Sequence, residues 1–126
     1  MTRRDPVPSS PRILLLFDSV LQLTALSAML TANGFRVSAA SDLAHALAFA
    51  ERGQFELAIV DLPEGRADRA GLLALVRTRG ARVVAVTGPT TRVDLDAGDR
   101  TVSRPLSATH LLHTVQMLLA EQRQGR

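Results

Sequence analysis

The chain has 126 residues, 46% of them hydrophobic and 21% charged, a balance that lets one soluble domain bury a single core. It has no cysteine, which excludes disulfides, thiolate metal sites and cysteine nucleophiles, and its apolar runs stop at strand length, far short of a membrane span. The formal charge of +3 rests on fifteen arginines and no lysine, but these are scattered and only 3% of residues are aromatic, which argues against a base-stacking nucleic-acid interface.

Residues 1–11 are polar and proline-rich, have no apolar signal core and read as a loose arm, so a cytoplasmic location is expected. Residues 13–17 (ILLLF) are a continuous apolar run, as in a strand covered on both faces. Residues 19–33 place Leu23, Leu26 and Leu30 at helical spacing, and Asn33-Gly34 is a helix stop. Residues 35–38 alternate as a second strand; Ser41 can then cap a helix with Leu43, Ala46, Leu47 and Ala50 on its apolar face, ended by Gly53. Residues 57–60 (LAIV) form a third strand running straight into Asp61. After a polar stretch with Pro63 and Gly65, a helix carries Leu72, Leu75 and Val76 and stops near Gly80. Residues 83–86 form a fourth strand ending in Thr87-Gly88, and residues 88–99 show no helical face. Residues 101–103 are a weak fifth strand ended by Arg104-Pro105, and Ser107 can cap a last helix bearing Leu111, Val115 and Leu118.

Strand and helix therefore alternate, the mark of a parallel sheet wrapped on both faces. The expected class is α/β: a doubly wound, flavodoxin-like sheet of five strands in the order 2-1-3-4-5, its fourth helix shortened or missing. In such a sheet the working crevice lies beyond the carboxyl ends of the strands, where the strand order reverses, here between the first and third. The residues just past those strands are Asp18 and Asp61; Thr87 arrives from the fourth strand and Arg104 from the fifth. Two carboxylates, a hydroxyl and a fixed cation suit phosphoryl chemistry: acids can ligate Mg²⁺ or attack phosphorus, while the other groups hold the transferred oxygens.

The segments RILLLFDSVL, NGFRVSAASDLAHALA, FELAIVDLPEG, VVAVTG and SRPLS, in this order and spacing, resemble the receiver (CheY-like) domain of bacterial response regulators over residues 12–122, leaving 123–126 as a tail. The resemblance implies a non-enzymatic signalling module that accepts a phosphoryl group from a histidine kinase or phosphotransfer protein. It makes Asp61 the phosphoacceptor, Asp18 and Asp61 the Mg²⁺ ligands, and Thr87 the hydroxyl that follows the phosphoryl group; Arg104 replaces a lysine. The departures are also plain. Phe17 stands where receivers carry the first of two adjacent acids, which weakens Mg²⁺ binding. Arginine brings a planar fork in place of a compact ammonium. Pro63 replaces the usual later Met-Pro turn, the loop to Gly71 is about two residues longer than usual, and Thr101 falls where a switch aromatic is usual.

Blander readings stand beside these. Asp18 can cap the first helix, Thr87-Gly88 is ordinary turn chemistry, and Arg104 can form a standing salt bridge with Asp61 or Asp18. His110 and His113 have no converging ligand set, His45 reads as exposed, and Asp94, Asp96 and Asp99 lack the distal glutamate of a Ca²⁺ loop. The alternative function is a pseudo-receiver, a protein-interaction module that works without phosphorylation. A downstream protein or output domain is an expected partner and a homodimer an open one; membrane and nucleic acid are not expected. A nucleotide-binding or hydrolytic flavodoxin-like protein is the weakest reading, since there is no glycine-rich phosphate cradle and no Gly-x-Ser-x-Gly.

Overall fold

The computed structural model describes residues 10–63, 69–89, 91 and 95–124. The elements are β1 (Arg12–Leu16), α1 (Val20–Ala32), β2 (Arg36–Ala40), α2 (Leu43–Arg52), β3 (Leu57–Asp61), α3 (Ala70–Thr78), β4 (Arg82–Thr87), β5 (Arg100–Ser103) and α4 (Ala108–Gln124). The five strands form one sheet in the order β2-β1-β3-β4-β5, with every neighbouring pair parallel. This is the expected doubly wound, flavodoxin-like arrangement.

Because successive side chains of a strand point to opposite faces, β1 serves two cores. Ile13, Leu15 and Phe17 pack with Leu23, Leu26 and Leu30 of α1 and with Leu111, Val115 and Leu118 of α4. Leu14 and Leu16 pack on the other face with Ala46 and Ala50 of α2 and with Leu72 and Val76 of α3. Burial on both faces is why the strands read as unbroken apolar runs instead of alternating ones.

Local signals differ from expectation mainly at caps and ends. Ser19, not Asp18, caps α1, its hydroxyl accepting from the Gln22 N–H at 3.2 Å. Asp42, not Ser41, caps α2 through the His45 N–H at 2.8 Å. Each is the polar residue directly before the first helical position, where its oxygen meets the free amide two or three residues on. Ser107 caps α4 as expected, accepting from the His110 N–H at 3.2 Å. The second strand starts at Arg36 instead of Phe35 and runs to Ala40, and α4 continues to Gln124, into the expected tail. Of the expected arm, residues 1–9 lie outside the described residues, as do 64–68 of the loop after Asp61 and Gly125 and Arg126 of the tail.

No helix occurs among the described residues between β4 and β5. That crossover is anchored by Asp99, whose side chain is only 2% exposed. Asp99 sits one residue before β5, so its carboxylate stands where a backbone carbonyl would continue the β4–β5 ladder: Oδ1 accepts from the Val83 N–H at 2.9 Å. Oδ2 accepts from Arg77 Nε and Nη2 at 3.0 and 2.9 Å and from the Asp96 N–H at 3.1 Å. Gly98 just before it has φ +94°, a conformation that favours glycine, and a Cβ there would also displace the end of the Arg82 side chain.

Candidate functional site

The four residues expected at the crevice fall where the strand ends place them. Asp61 closes β3, Asp18 follows β1, Thr87 closes β4, and Arg104 follows β5. Asp61 pairs in register with Val86, so Thr87 lies one residue beyond it. Its carbonyl accepts from the Arg104 N–H at 2.8 Å, which carries the β4–β5 ladder past Ser103 and holds the Arg104 backbone at the crevice.

The Arg104 side chain turns across the ends of β3 and β4. Nη1 meets Asp61 Oδ1 at 2.6 Å and also donates to the Val86 carbonyl at 3.2 Å; Nη2 donates to the Leu62 carbonyl at 3.2 Å. The peptide bond to Pro105 is cis. The salt-bridge reading of Arg104 is therefore the observed one, with Asp61 as its partner.

A fifth residue completes the site, and it had not been singled out from the sequence. Arg69, immediately before α3, is 1% exposed. Its Nη2 donates to Asp18 Oδ1 at 2.6 Å and its Nη1 to the Asp61 main-chain carbonyl. Its Nε is buried and has no hydrogen-bond partner among the described residues. A local signal for it exists. Arg69 occupies the N-cap position of α3 without a capping bond, where Ser, Thr, Asp or Asn is favoured and a cation is disfavoured by the helix dipole. A broken local rule at a strand-to-helix junction marks a site.

Charges thus alternate from Arg104 through Asp61 and Arg69 to Asp18. Burial dominates at Asp61 and pushes its carboxyl above the usual range, against the pull of Arg104 and then Arg69; Asp18 adds a smaller upward push. Phe17 is fully buried in the core shared by α1 and α4, so the position of a second acid is filled by packing. The fit to a divalent cation follows from these contacts. Asp18 and Asp61 are hard oxygen donors of the right kind, but each already holds a guanidinium and Phe17 supplies no third acid. Among the described residues no group of three or more His, Cys, Asp or Glu converges. The site as arranged does not fit Mg²⁺.

His45, His110 and His113 are all exposed; His45 pairs locally with Asp42 at 2.8 Å. Of the three aspartates weighed as a Ca²⁺ loop, Asp94 lies outside the described residues and Asp99 is the structural anchor described above.

No family model matches the chain, and no curated protein sequence matches it. Solved structures do match. The receiver domain of the hybrid histidine kinase CckA is 26% identical, with 86% of this chain and 98% of that one covered, at a TM-score of 0.72. The fold is that of response regulator receiver domains. The signal receiver domain of a putative Luxo repressor protein from Vibrio parahaemolyticus is 20% identical, covering 92% and 95% of the two chains, with a TM-score of 0.73. A response regulator from Thermotoga maritima is 20% identical over 88% and 98%, with a TM-score of 0.70. The likeness supports a receiver-type role in two-component signalling, and no helix among the described residues is long and apolar enough to cross a membrane.

Proposed function

We propose that this receiver works without phosphorylation, as a protein-interaction module whose crevice is held in one charge state. The observation that carries this reading is the pairing of both acids: Arg104 on Asp61 and Arg69 on Asp18, each at 2.6 Å. An acid tied to an adjacent guanidinium is a poor nucleophile, and a phosphoryl group on Asp61 would have to displace Arg104. A carboxylate paired to a fixed cation instead makes the crevice a standing structural element. On this reading the chain acts by binding, not by catalysis. Val20 and Leu21 on the first turn of α1, 63% and 86% exposed, offer a partner apolar contact beside Asp18.

The competing reading is phosphotransfer from a histidine kinase or phosphotransfer protein to Asp61 with Mg²⁺. Incubation with a small acyl-phosphate donor and Mg²⁺, followed by intact mass, separates the two. No phosphate adduct is expected. An adduct on the wild type that disappears in Asp61→Ala would overturn the proposal.

A further inference from the structure

We infer that Arg69 is a tethered replacement for a metal ion, and that removing its charge would turn the Asp18–Asp61 crevice into a divalent-cation site. The inference deepens the proposed function, resting on the same crevice, but its basis is the two oxygen contacts of Arg69 and not the pairing of Arg104.

Three features carry it. The Arg69 guanidinium spans the ends of β1 and β3, contacting the Asp18 carboxylate and the Asp61 carbonyl, while the Asp61 carboxylate is near enough to feel its charge. Carbonyls and carboxylates are the oxygen donors that a hard divalent cation takes, and here one of each holds a nitrogen cation. Arg69 is also 1% exposed, and its Nε has no hydrogen-bond partner among the described residues. A planar fork that leaves a buried donor unmet is badly suited to a role in hydrogen bonding alone; what the position uses is its positive charge. Finally, both acids already hold a cation: Asp18 is paired with Arg69 and Asp61 with Arg104, so a divalent ion entering the intact crevice would meet two positive charges in place. Neutralising Arg69 removes one of these charges from beside the Asp18 carboxylate, which favours the entry of a divalent ion.

Tethering changes the behaviour of the site. An exchangeable ion follows its concentration in solution, whereas a side chain anchored before α3 is always present. The junctions after β1 and β3 are then joined permanently, whatever the supply of divalent cations.

The test is Mn²⁺ binding to the full chain, with free Mn²⁺ read by electron paramagnetic resonance. Wild type and Arg69→Lys, which keep the charge, should show no Asp18-dependent site. Arg69→Ala and the longer neutral Arg69→Met should gain one site, binding Mn²⁺ about tenfold or more tighter than wild type. The Arg69→Ala, Asp18→Asn double variant should lose it. If the neutral variants unfold in metal-free buffer, Mn²⁺ should restore their far-UV circular dichroism. An Asp18-dependent site of equal affinity in wild type would overturn the inference. So would a folded neutral variant that gains no site, a gained site indifferent to Asp18→Asn, or an unfolded variant that Mn²⁺ does not rescue. The two proposals fail separately. Mn²⁺ bound at Asp18 in a wild type that takes no phosphate would sink only this one; a metal-free phosphate adduct on Asp61 would sink only the proposed function.

Discussion

Replacing Asp99 with alanine tests how a receiver fold survives with no helix described between β4 and β5. The carboxylate accepts from the fully buried Val83 N–H and from both Nε and Nη2 of Arg77. Leaving the Val83 amide without an acceptor costs about 1–3 kcal/mol. Removing the anion from a largely buried guanidinium adds to this, but Asp96 Oδ2 already lies 3.6 Å from Arg77 Nε and can take up part of the charge. A total loss of about 3 kcal/mol follows, at the lower end of what breaking a buried pair costs. For a domain whose whole stability is about 5–15 kcal/mol this is a large share, equivalent to a melting point lowered by on the order of 10 °C. Asp99→Asn separates the two parts. Its Oδ1 still accepts from Val83, while its amide N–H₂ confronts the Arg77 fork, so it should lose only about half as much. The chain has no Trp or Tyr, so urea unfolding is followed by far-UV circular dichroism. A loss below about 1 kcal/mol in Asp99→Ala, or equal losses in both variants, would refute the assignment of Asp99 as the anchor.

Three further outcomes follow from the site and its surroundings. The Asp61 carboxyl is raised above its unfolded value by burial, so ionising it costs more in the fold than in the unfolded chain even beside Arg104. Its stabilising contribution is present below the unfolded value near 3.8 and is lost as pH rises through the folded one, leaving a cost at neutral pH. Asp61→Asn should therefore melt higher than wild type at pH 7, with the difference shrinking as the pH falls toward 4; a gap that is constant or grows on acidification would contradict this. Phe17→Asp puts back an acid but places it in a core position of 0% exposure. It should cost about 4 kcal/mol or more in urea unfolding and give no Mn²⁺ site, and a mild loss with metal binding would show that the side chain can turn outward. Arg100 Nη2 meets Glu121 Oε1 at 2.7 Å, but both side chains are 41% exposed. Glu121→Gln should change stability by less than about 1 kcal/mol, and by less still in high salt.

The strands were legible because burial on both faces writes itself as uninterrupted apolar runs, and the sheet order followed from their alternation with helices. That logic also placed Asp18 and Asp61, since each is the first polar residue past a run that stops at the sheet edge. The lack of a helix among the described residues between β4 and β5 was visible as a segment with no apolar period. Arg104 was legible down to its salt bridge as an alternative, because the fifth strand delivers it to the same edge. At Ser41-Asp42 and Asp18-Ser19 two polar residues stand together, and only backbone dihedrals choose which one caps the helix. Arg69 could not be placed by periodicity at all. Its partner Asp18 is 51 residues away, and among fifteen arginines only its place at the start of α3, where a cation is disfavoured, sets it apart.

Arg69 bears on what the crevice is for. A parallel sheet that ends β1 and β3 in aspartates brings two negative charges to one edge, and Asp18 does push the Asp61 carboxyl upward. Such a pair needs a cation. A buried ion pair adds little net stability compared with apolar packing, and the Arg69 Nε finds no partner among the described residues. Stability alone is therefore a weak reason for the arrangement. Its distinctive property is permanence: the cations arrive on the chain, one before α3 and one after β5, and neither can diffuse away. A crevice neutralised in this way has no vacancy for an ion to report on. Of the two cations, Arg104, whose side chain is 32% exposed, is open to displacement, and Arg69, 1% exposed, is not. An anionic group on a partner could compete with Asp61 for that guanidinium, which makes Arg104 the residue through which a binding partner would sense the crevice.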